Sequence, residues 1–207
     1  MTGVQTCALP ILKPASTARL QTVAMDATAT LAAGRYSATA IALHWLLALM
    51  VAASLGLGLY MADLPFSPAR LKLYNWHKWA GVAILLLSAA RLLWRLTHRP
   101  PANLALPAWQ ARIAHTTHLA MYALFFTVPL VGWAYSSAAG FPIVWFGVLQ
   151  LADFVPVDKA LAAALKPWHQ RTALLLGALA LLHVAAALKH QFIDRDGLID
   201  RMRPARR

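Results

Sequence analysis

Four histidines lie in stretches that are otherwise apolar, where an imidazole is costly unless something binds it. Two of them, His169 and His183, bracket the segment WHQRTALLLGALALLH (168–183), which contains no acid and, after Thr172, no other polar residue until His183. Fourteen residues of helix turn through about 1400°, so the two rings share one face and lie roughly 21 Å apart along the axis. Neutral imidazoles are common metal ligands. The spacing therefore favours metal ligation at two depths of one helix.

The composition indicates a membrane protein. The 207 residues are 60% hydrophobic and 13% charged, whereas a soluble domain carries about a quarter charged residues. Four stretches are long enough to cross a bilayer core of about 30 Å: 38–61, 74–96, 115–135 and 168–189. Pro129 is expected to kink the third. A fifth run, 140–154, is short and interrupted by Gln150 and Asp153, which predicts an interfacial or loop segment packed on the bundle. The predicted fold class is an all-α membrane protein with a four-helix transmembrane bundle.

The distribution of charge predicts the orientation of this bundle. The net charge of +12 could indicate nucleic-acid binding, but the high apolar fraction argues against that partner. The connection between the second and third helices, with its flanks, carries Arg91, Arg95, Arg99 and Arg112 and no acid, and the C-terminal tail is also basic. The positive-inside rule then places both termini and this connection in the cytoplasm. We expect residues 35–190 to form the transmembrane domain and 191–207 a basic cytoplasmic tail.

The first 34 residues are expected to be a disordered extension. Residues 1–11, MTGVQTCALPI, lack the basic start and apolar core of a signal peptide. They match the in-frame translation of a common sequencing adapter, so we expect them to be non-native, with the native start at Met25 or upstream. The only cysteine, Cys7, falls in this stretch. Disulfides, thiolate metal sites and iron–sulfur clusters are therefore not expected.

The four histidines fall at two depths of the predicted bundle. His77 and His169 each begin a helix on the outer side, whereas His44 and His183 lie near the inner side. Facing imidazoles are what six-coordinate haem iron requires, and without a C-x-x-C-H motif the haem would be of b type. Gly81, one turn after His77, would leave room for a flat porphyrin. The alternative is that these histidines bond helix carbonyls and only pack.

Four motifs resemble the bacterial cytochrome b561 family over residues 35–205. They are ALHWLLAL in the first helix, HKWAG in the second, HTTHLAMYALFFTVPLVGW in the third and WHQRTALLLGALALLHVAAALKH in the fourth. The resemblance implies an inner-membrane bundle with two haems b, which moves electrons between the periplasmic face and ubiquinone. The implied axial ligands are His77 with His169 and His44 with His183. Some members resemble superoxide oxidases. The same bundle also serves as the cytochrome b subunit that conducts electrons from a dehydrogenase or hydrogenase, which is the alternative function.

The other histidines have weaker assignments. His118 is expected to line a quinone pocket or bond a haem propionate, and His190 to donate a hydrogen bond or relay a proton to a quinone carbonyl. A zinc pair of His115 and His118 is a further alternative, because they lie one turn apart. His98, among arginines, is expected to be an ordinary interfacial residue.

Basic residues surround both predicted levels. Arg91 and Arg95 could pair with haem propionates or reach lipid phosphates. On the outer side a basic rim would attract a small anionic electron donor such as superoxide, or else bind headgroups. Its members are Lys72, Lys78, Lys159, Lys166 and Arg171. The expected partners are thus the lipid bilayer, quinone, and either a small anionic donor or a periplasmic redox protein. The sequence predicts no particular oligomeric state.

Overall fold

The computed structural model describes residues 34–101 and 107–203. The expectations for residues 1–33, including the adapter-like stretch, Cys7 and Met25, lie outside the described residues. Four long helices dominate the rest of the chain. They are α1 (Ala38–Ala62), α2 (Pro68–Thr97), α3 (Ala108–Ala138) and α4 (Lys159–Lys189). All four are long and apolar enough to span a membrane, which agrees with the predicted fold class.

Polar caps extend the helices beyond their apolar stretches. The Ser37 hydroxyl accepts the Ala40 N–H at the start of α1, and the Ser67 hydroxyl accepts the Arg70 N–H at the start of α2. The Asp158 carboxylate accepts two backbone N–H groups at the start of α4, at 2.8 and 3.1 Å. Since these caps satisfy the first turn, α2 and α4 begin well before the apolar limits at 74 and 168. The third helix continues through Pro129.

The helices form an up-and-down bundle in which α1 packs on α2, α2 on α3, α3 on α4 and α4 on α1. Every helix contributes to one buried apolar cluster at mid-height: Leu47, Val51, Ile84, Leu124, Phe125 and Leu176. Large apolar side chains also cover the outside, including Leu49 and Leu181, which are 67% and 73% exposed. A soluble domain would bury such a surface. The outward apolar faces therefore fit a lipid environment.

The two ends of the bundle differ in construction. We call the end with the α1–α2 and α3–α4 connections the hairpin end, and the opposite end the terminal end. The α3–α4 connection contains two short antiparallel strands, β1 (Val144–Trp145) and β2 (Leu149–Gln150). Between them Phe146 and Gly147 adopt positive φ values, 51° and 75°, which close the turn. The run predicted as a loop packed on the bundle is therefore a small β-hairpin.

Hydrogen bonds fasten this connection to the first half of α2 and to the end of α3. The Lys78 ammonium lies 3.3 Å from the Ser136 hydroxyl and from the carbonyls of Phe141 and Pro142. The Trp79 indole N–H donates to the Val144 carbonyl at 2.7 Å. The Ser137 hydroxyl donates to the Asp153 carboxylate at 2.6 Å. The connection is thus clamped over the hairpin end.

At the terminal end the chain folds back on the bundle. A π-helical turn (His190–Asp194) continues α4, and a 3₁₀ turn (Ile199–Met202) follows. The Trp45 indole N–H donates to the Met202 carbonyl at 2.9 Å, and the Tyr36 N–H donates to the Arg201 carbonyl at 3.2 Å. Within the predicted tail, the 3₁₀ turn is therefore hydrogen-bonded to the chain around the start of α1.

Candidate functional site

Near the hairpin end, two histidines meet across the diagonal of the bundle. His77 extends from α2 and His169 from α4, and their ring centroids lie 6.0 Å apart with an interplanar angle of 84°. We call this pair the hairpin level. A metal held between two imidazoles at about 2 Å from each nitrogen separates the ring centroids by roughly 6 Å. The observed spacing therefore fits an iron atom between the two rings.

Each ring of the hairpin level is anchored on a neighbouring helix. His77 Nδ1 lies 3.1 Å from the Ser54 carbonyl oxygen and 3.3 Å from the Ser54 hydroxyl on α1. His169 Nδ1 lies 3.0 Å from the Val128 carbonyl oxygen on α3. A carbonyl only accepts, so each Nδ1 carries the proton and Nε2 keeps its lone pair. That is the tautomer a metal ligand needs.

A glycine one turn beyond each acceptor makes this approach possible. A Cβ added at Gly58 would lie 3.1 Å from His77 Cε1, and one at Gly132 would lie 2.7 Å from His169 Cε1. Gly58 follows Ser54, and Gly132 follows Val128, by one helical turn each. A larger residue at Gly58 would therefore displace the His77 ring, and one at Gly132 would displace the His169 ring. Gly81 has only Pro129 Cβ near its own position, at 4.0 Å, so it borders the open space that was expected beside a porphyrin.

Near the terminal end lies a second group of histidines. The ring centroids of His44 on α1 and His183 on α4 are 6.3 Å apart, again the spacing that fits a shared iron. We call this pair the terminal level. His118 on α3 also faces His183, at 5.3 Å between centroids, which is shorter than the roughly 6 Å expected for two imidazoles with one iron between them. The geometry therefore favours His44 with His183 and leaves His118 beside them.

The surroundings of the terminal level differ from those of the hairpin level. His44 Nδ1 is buried and has no hydrogen-bond partner among the described residues. Arg91 interacts electrostatically with both His44 and His183, and its guanidinium lies over the Tyr122 ring at 5.4 Å. Arg91 is half-buried, whereas Arg95, one turn further along α2, is exposed. Of the two arginines expected near propionates, Arg91 is the better placed.

The residues of both levels fit haem. The paired rings have the right spacing, the hairpin-level rings have the right tautomer, and Gly81 borders open space one turn from His77. The indole N–H of Trp133, next to Gly132, is buried without an acceptor among the described residues. A haem propionate would provide such an acceptor. The mid-height apolar cluster, which includes Leu176 halfway between His169 and His183, separates the two levels.

The remaining histidines have distinct settings. His190 Nδ1 pairs with the Asp196 carboxylate at 2.5 Å and lies 3.3 Å from that of Asp194. These three residues are also the one group of three possible metal ligands in the described chain, so the predicted zinc pair of His115 and His118 has no third ligand there. His98 stacks on the Trp94 ring at 3.6 Å, which agrees with an ordinary interfacial role.

Of the predicted basic rim, four members are exposed at the hairpin end: Lys72, Lys159, Lys166 and Arg171. Lys72 lies over the Trp76 ring, 5.2 Å from its centroid. Lys78 differs, because its ammonium is engaged by the α3–α4 connection. Its three acceptors are neutral, so the charge remains beside His77, and its part in the rim stays a prediction.

Comparison with known proteins identifies the family. The sequence matches the family described as prokaryotic cytochrome b561 over residues 35–205. The chain belongs to this family.

Similar proteins agree with that assignment. Cytochrome b561 homolog 2 of Escherichia coli (strain K12) is 34% identical over 173 residues, covering 81% of this chain and 90% of the relative. Cytochrome b561 homolog 1 of the same organism is 30% identical over 175 residues, covering 84% and 99%. A Yersinia pestis protein named "Probable superoxide oxidase CybB" is 30% identical over 177 residues, covering 84% and 98%.

Membership of the cytochrome b561 family confirms the recognition made from the four motifs. With its four spans, the chain is a multi-pass protein of the bacterial inner membrane that takes part in electron transfer. The family implies haem b as the cofactor. When the sequence alone was considered, Gly58 and Gly132 had no assigned role. The sequence did contain an indication of their role. Each lies inside an apolar helix, where a glycine lowers stability and so suggests that another group approaches the backbone closely.

Proposed function

We propose that this cytochrome b561 carries two haems b and moves electrons between a donor on the periplasmic side and the ubiquinone pool. The most direct support is that two pairs of histidines face each other at two depths of one bundle. Their ring centroids are 6.0 and 6.3 Å apart. His77 and His169 would hold one haem, and His44 and His183 the other. When bound, haem supplies a one-electron couple at each level.

The hairpin end is proposed as the periplasmic side. The described terminal end carries Arg91, Arg95, Arg99 and Arg112, and its three aspartates each pair with a neighbouring basic side chain. The positive-inside rule places such an end in the cytoplasm.

The donor is proposed to be a small anion, with superoxide as the candidate. The exposed amino and guanidinium groups of Lys159, Lys166 and Arg171 lie around the hairpin end, where they would raise the local concentration of an anion. The relative named as a superoxide oxidase supports this choice. Two superoxide anions would each lose one electron to give two dioxygen molecules. One ubiquinone would gain both electrons and two protons to give ubiquinol.

The quinone is proposed to bind at the terminal end, near His118 and His190. His118 is exposed and faces His183, so a ligand beside it would be close to the terminal level. His190 holds its Nδ1 proton against Asp196, which directs Nε2 elsewhere for proton exchange. Burial alone would raise the pKa of Asp196, but the Leu198 N–H and His190 outweigh it and hold this pKa below its usual value. An ionised Asp196 would keep His190 oriented at neutral pH.

A second function is favoured by one observation, the exposed apolar surface of the α3–α4 connection. Phe141, Phe146, Val148 and Val157 are all more than half exposed. Such a surface at the hairpin end would suit docking of a periplasmic dehydrogenase or hydrogenase, for which the chain would be the cytochrome b subunit. Co-purification of a large redox protein from native membranes, lost when Phe146 and Val148 become serine, would favour this function.

The experiment that tests the main proposal is a dithionite-reduced minus oxidised spectrum with pyridine haemochrome quantitation. We expect two haems b per chain, with one lost in His169→Ala and the other lost in His183→Ala. His98→Ala is the matched control, because His98 only stacks on Trp94 and should leave both haems. Haem content unaffected by either ligand variant would mean that the paired histidines are structural.

The donor is tested separately with the purified holoprotein and a soluble ubiquinone analogue. Superoxide-dependent quinone reduction should slow as ionic strength rises and should fall in a Lys166→Gln/Arg171→Gln double variant. A rate independent of both would rule out an electrostatic role for the rim.

A further inference from the structure

The two levels have similar ring spacings, but their second ring nitrogens have different surroundings. At the hairpin level, both Nδ1 atoms lie within 3.1 Å of a helix carbonyl oxygen. At the terminal level, His44 Nδ1 is buried without an acceptor among the described residues. The contrast has a structural origin, because Gly58 and Gly132 let the hairpin-level rings approach the neighbouring helices closely.

A charge reinforces the contrast. Arg91 is half-buried on α2, its guanidinium lies 5.4 Å from the Tyr122 ring centroid, and its charge acts on both His44 and His183. No lysine or arginine of the described residues has a comparable effect on His77 or His169, and the charged Lys78 ammonium is directed to Ser136, Phe141 and Pro142. The positive charge near the rings is thus concentrated at the terminal level.

We propose that Gly58, Gly132 and Arg91 are positioning residues that give the two haems different reduction potentials, the lower at the hairpin level and the higher at the terminal level. This inference rests on the proposed function, since it requires a haem at each level. It adds a distribution of the electron within the protein: a single electron is then held mainly at the terminal level, next to the proposed quinone site.

Two physical effects give this order. A carbonyl that accepts the Nδ1–H of a ligand histidine makes the imidazole a stronger electron donor, and this stabilises the oxidised metal. A nearby cation favours the state with one positive charge fewer, which is the reduced one. The first effect lowers the potential at the hairpin level, and the second raises it at the terminal level.

The experiment is a spectroelectrochemical titration of the holoprotein in detergent, which should resolve two midpoint potentials. Gly58→Ala is the informative variant because its new Cβ would press His77 Cε1 from 3.1 Å and weaken the bond to Ser54. We expect the lower midpoint to rise, by up to about tenfold in the reduction equilibrium or about 59 mV, with the higher one unmoved. Gly56→Ala is the matched control, because nothing lies within 4 Å of its new Cβ.

Arg91 provides the test at the other level. Arg91→Gln should lower the higher midpoint alone, and Arg91→Lys, which keeps the charge, should restore most of it. Arg99→Gln is the control, because this arginine is exposed beyond the end of α2. A purely structural role for Arg91 would change both midpoints, or would change haem content without rescue by lysine.

The outcomes separate this inference from the proposed function. A haem content below two per chain in the unaltered protein would contradict the proposed function itself. Two haems with a single shared midpoint would overturn the inference alone. So would a Gly58→Ala change confined to the higher midpoint, or an Arg91→Gln change confined to the lower one.

Discussion

The hairpin level and the terminal level use the same side chains at nearly the same separation, yet they are built differently. At the hairpin level, rings from α2 and α4 dock on α1 and α3, so all four helices hold one pair. At the terminal level, the pair comes from α1 and α4, and His118 stands beside it in an exposed position. The hairpin level thus holds its two histidines in fixed positions, whereas the terminal level leaves His118 accessible to another molecule.

The largest effect on one level alone is expected for Gly132→Ala. The new Cβ would lie 2.7 Å from His169 Cε1 and 2.9 Å from Nδ1, so the ring must leave the Val128 carbonyl. We expect loss of the hairpin-level haem and retention of the other, measured by haem per chain and by the reduced spectrum. Gly56→Ala should keep both haems. If Gly132→Ala also kept both, the glycine would not be needed for ligand placement.

His118→Ala tests the terminal level, where His118 is proposed to contact quinone and not to bind haem iron. Both haems should remain, since the ring spacing assigns the terminal level to His44 and His183. The apparent KM for a quinone analogue should rise about fivefold, as expected when a hydrogen bond worth about 1 kcal/mol is lost. His115→Ala, one turn away and exposed, is the control. Loss of a haem in His118→Ala would instead make His118 an axial ligand.

The prediction of two histidine levels could be made from the sequence, because helical spacing determines depth along an axis. The 14-residue interval from His169 to His183 and the apolar stretches around them were sufficient to propose two levels. Helix ends were predicted less well. The starts of α2 and α4 are set by capping bonds to Ser67 and Asp158. These helices therefore begin before the apolar stretches from which their ends were predicted.

The supports of the histidines could not be predicted, because they depend on contacts between different helices. Nothing local relates His77 to the carbonyl of Ser54, 23 positions away, or His169 to that of Val128, 41 positions away. The same holds for Lys78, whose position beside His77 suggested an outward charge. Only the folded α3–α4 connection supplies the acceptors that turn it inward.

A smaller effect, confined to the hairpin end, is expected when a hydrogen bond that holds the α3–α4 connection is removed. Ser137 is almost fully buried and donates to the Asp153 carboxylate. Ser137→Ala removes this hydrogen bond, and because Asp153 is exposed and water can replace the donor, the cost should be about 0.5–1.5 kcal/mol. We expect faster amide exchange over 139–158 and an unchanged terminal-level spectrum. Thr127→Ala is the control, because that exposed hydroxyl bonds only its own helix. Faster exchange throughout the bundle would mean that Ser137 supports the whole fold and not one end.

The smallest effect is expected at the terminal end, for Asp196→Asn. The pKa of Asp196 is lowered in the folded chain, so the carboxylate's contribution is complete above its unfolded value and is lost as pH falls through the folded one. In the unaltered protein, the link to His190 should therefore persist through neutral pH and weaken only in acid, below about pH 3.9.

Asparagine at this position removes the charge at every pH. We expect quicker amide exchange over 190–198 at pH 7, and slower quinone reduction with both haems retained. Asp200→Asn is the control, because Asp200 pairs with Arg203 and not with His190. Equal amide exchange and equal quinone reduction in the two variants would show that the terminal level exchanges protons without His190, and the contrast between the levels would then rest on His118 and Arg91 alone.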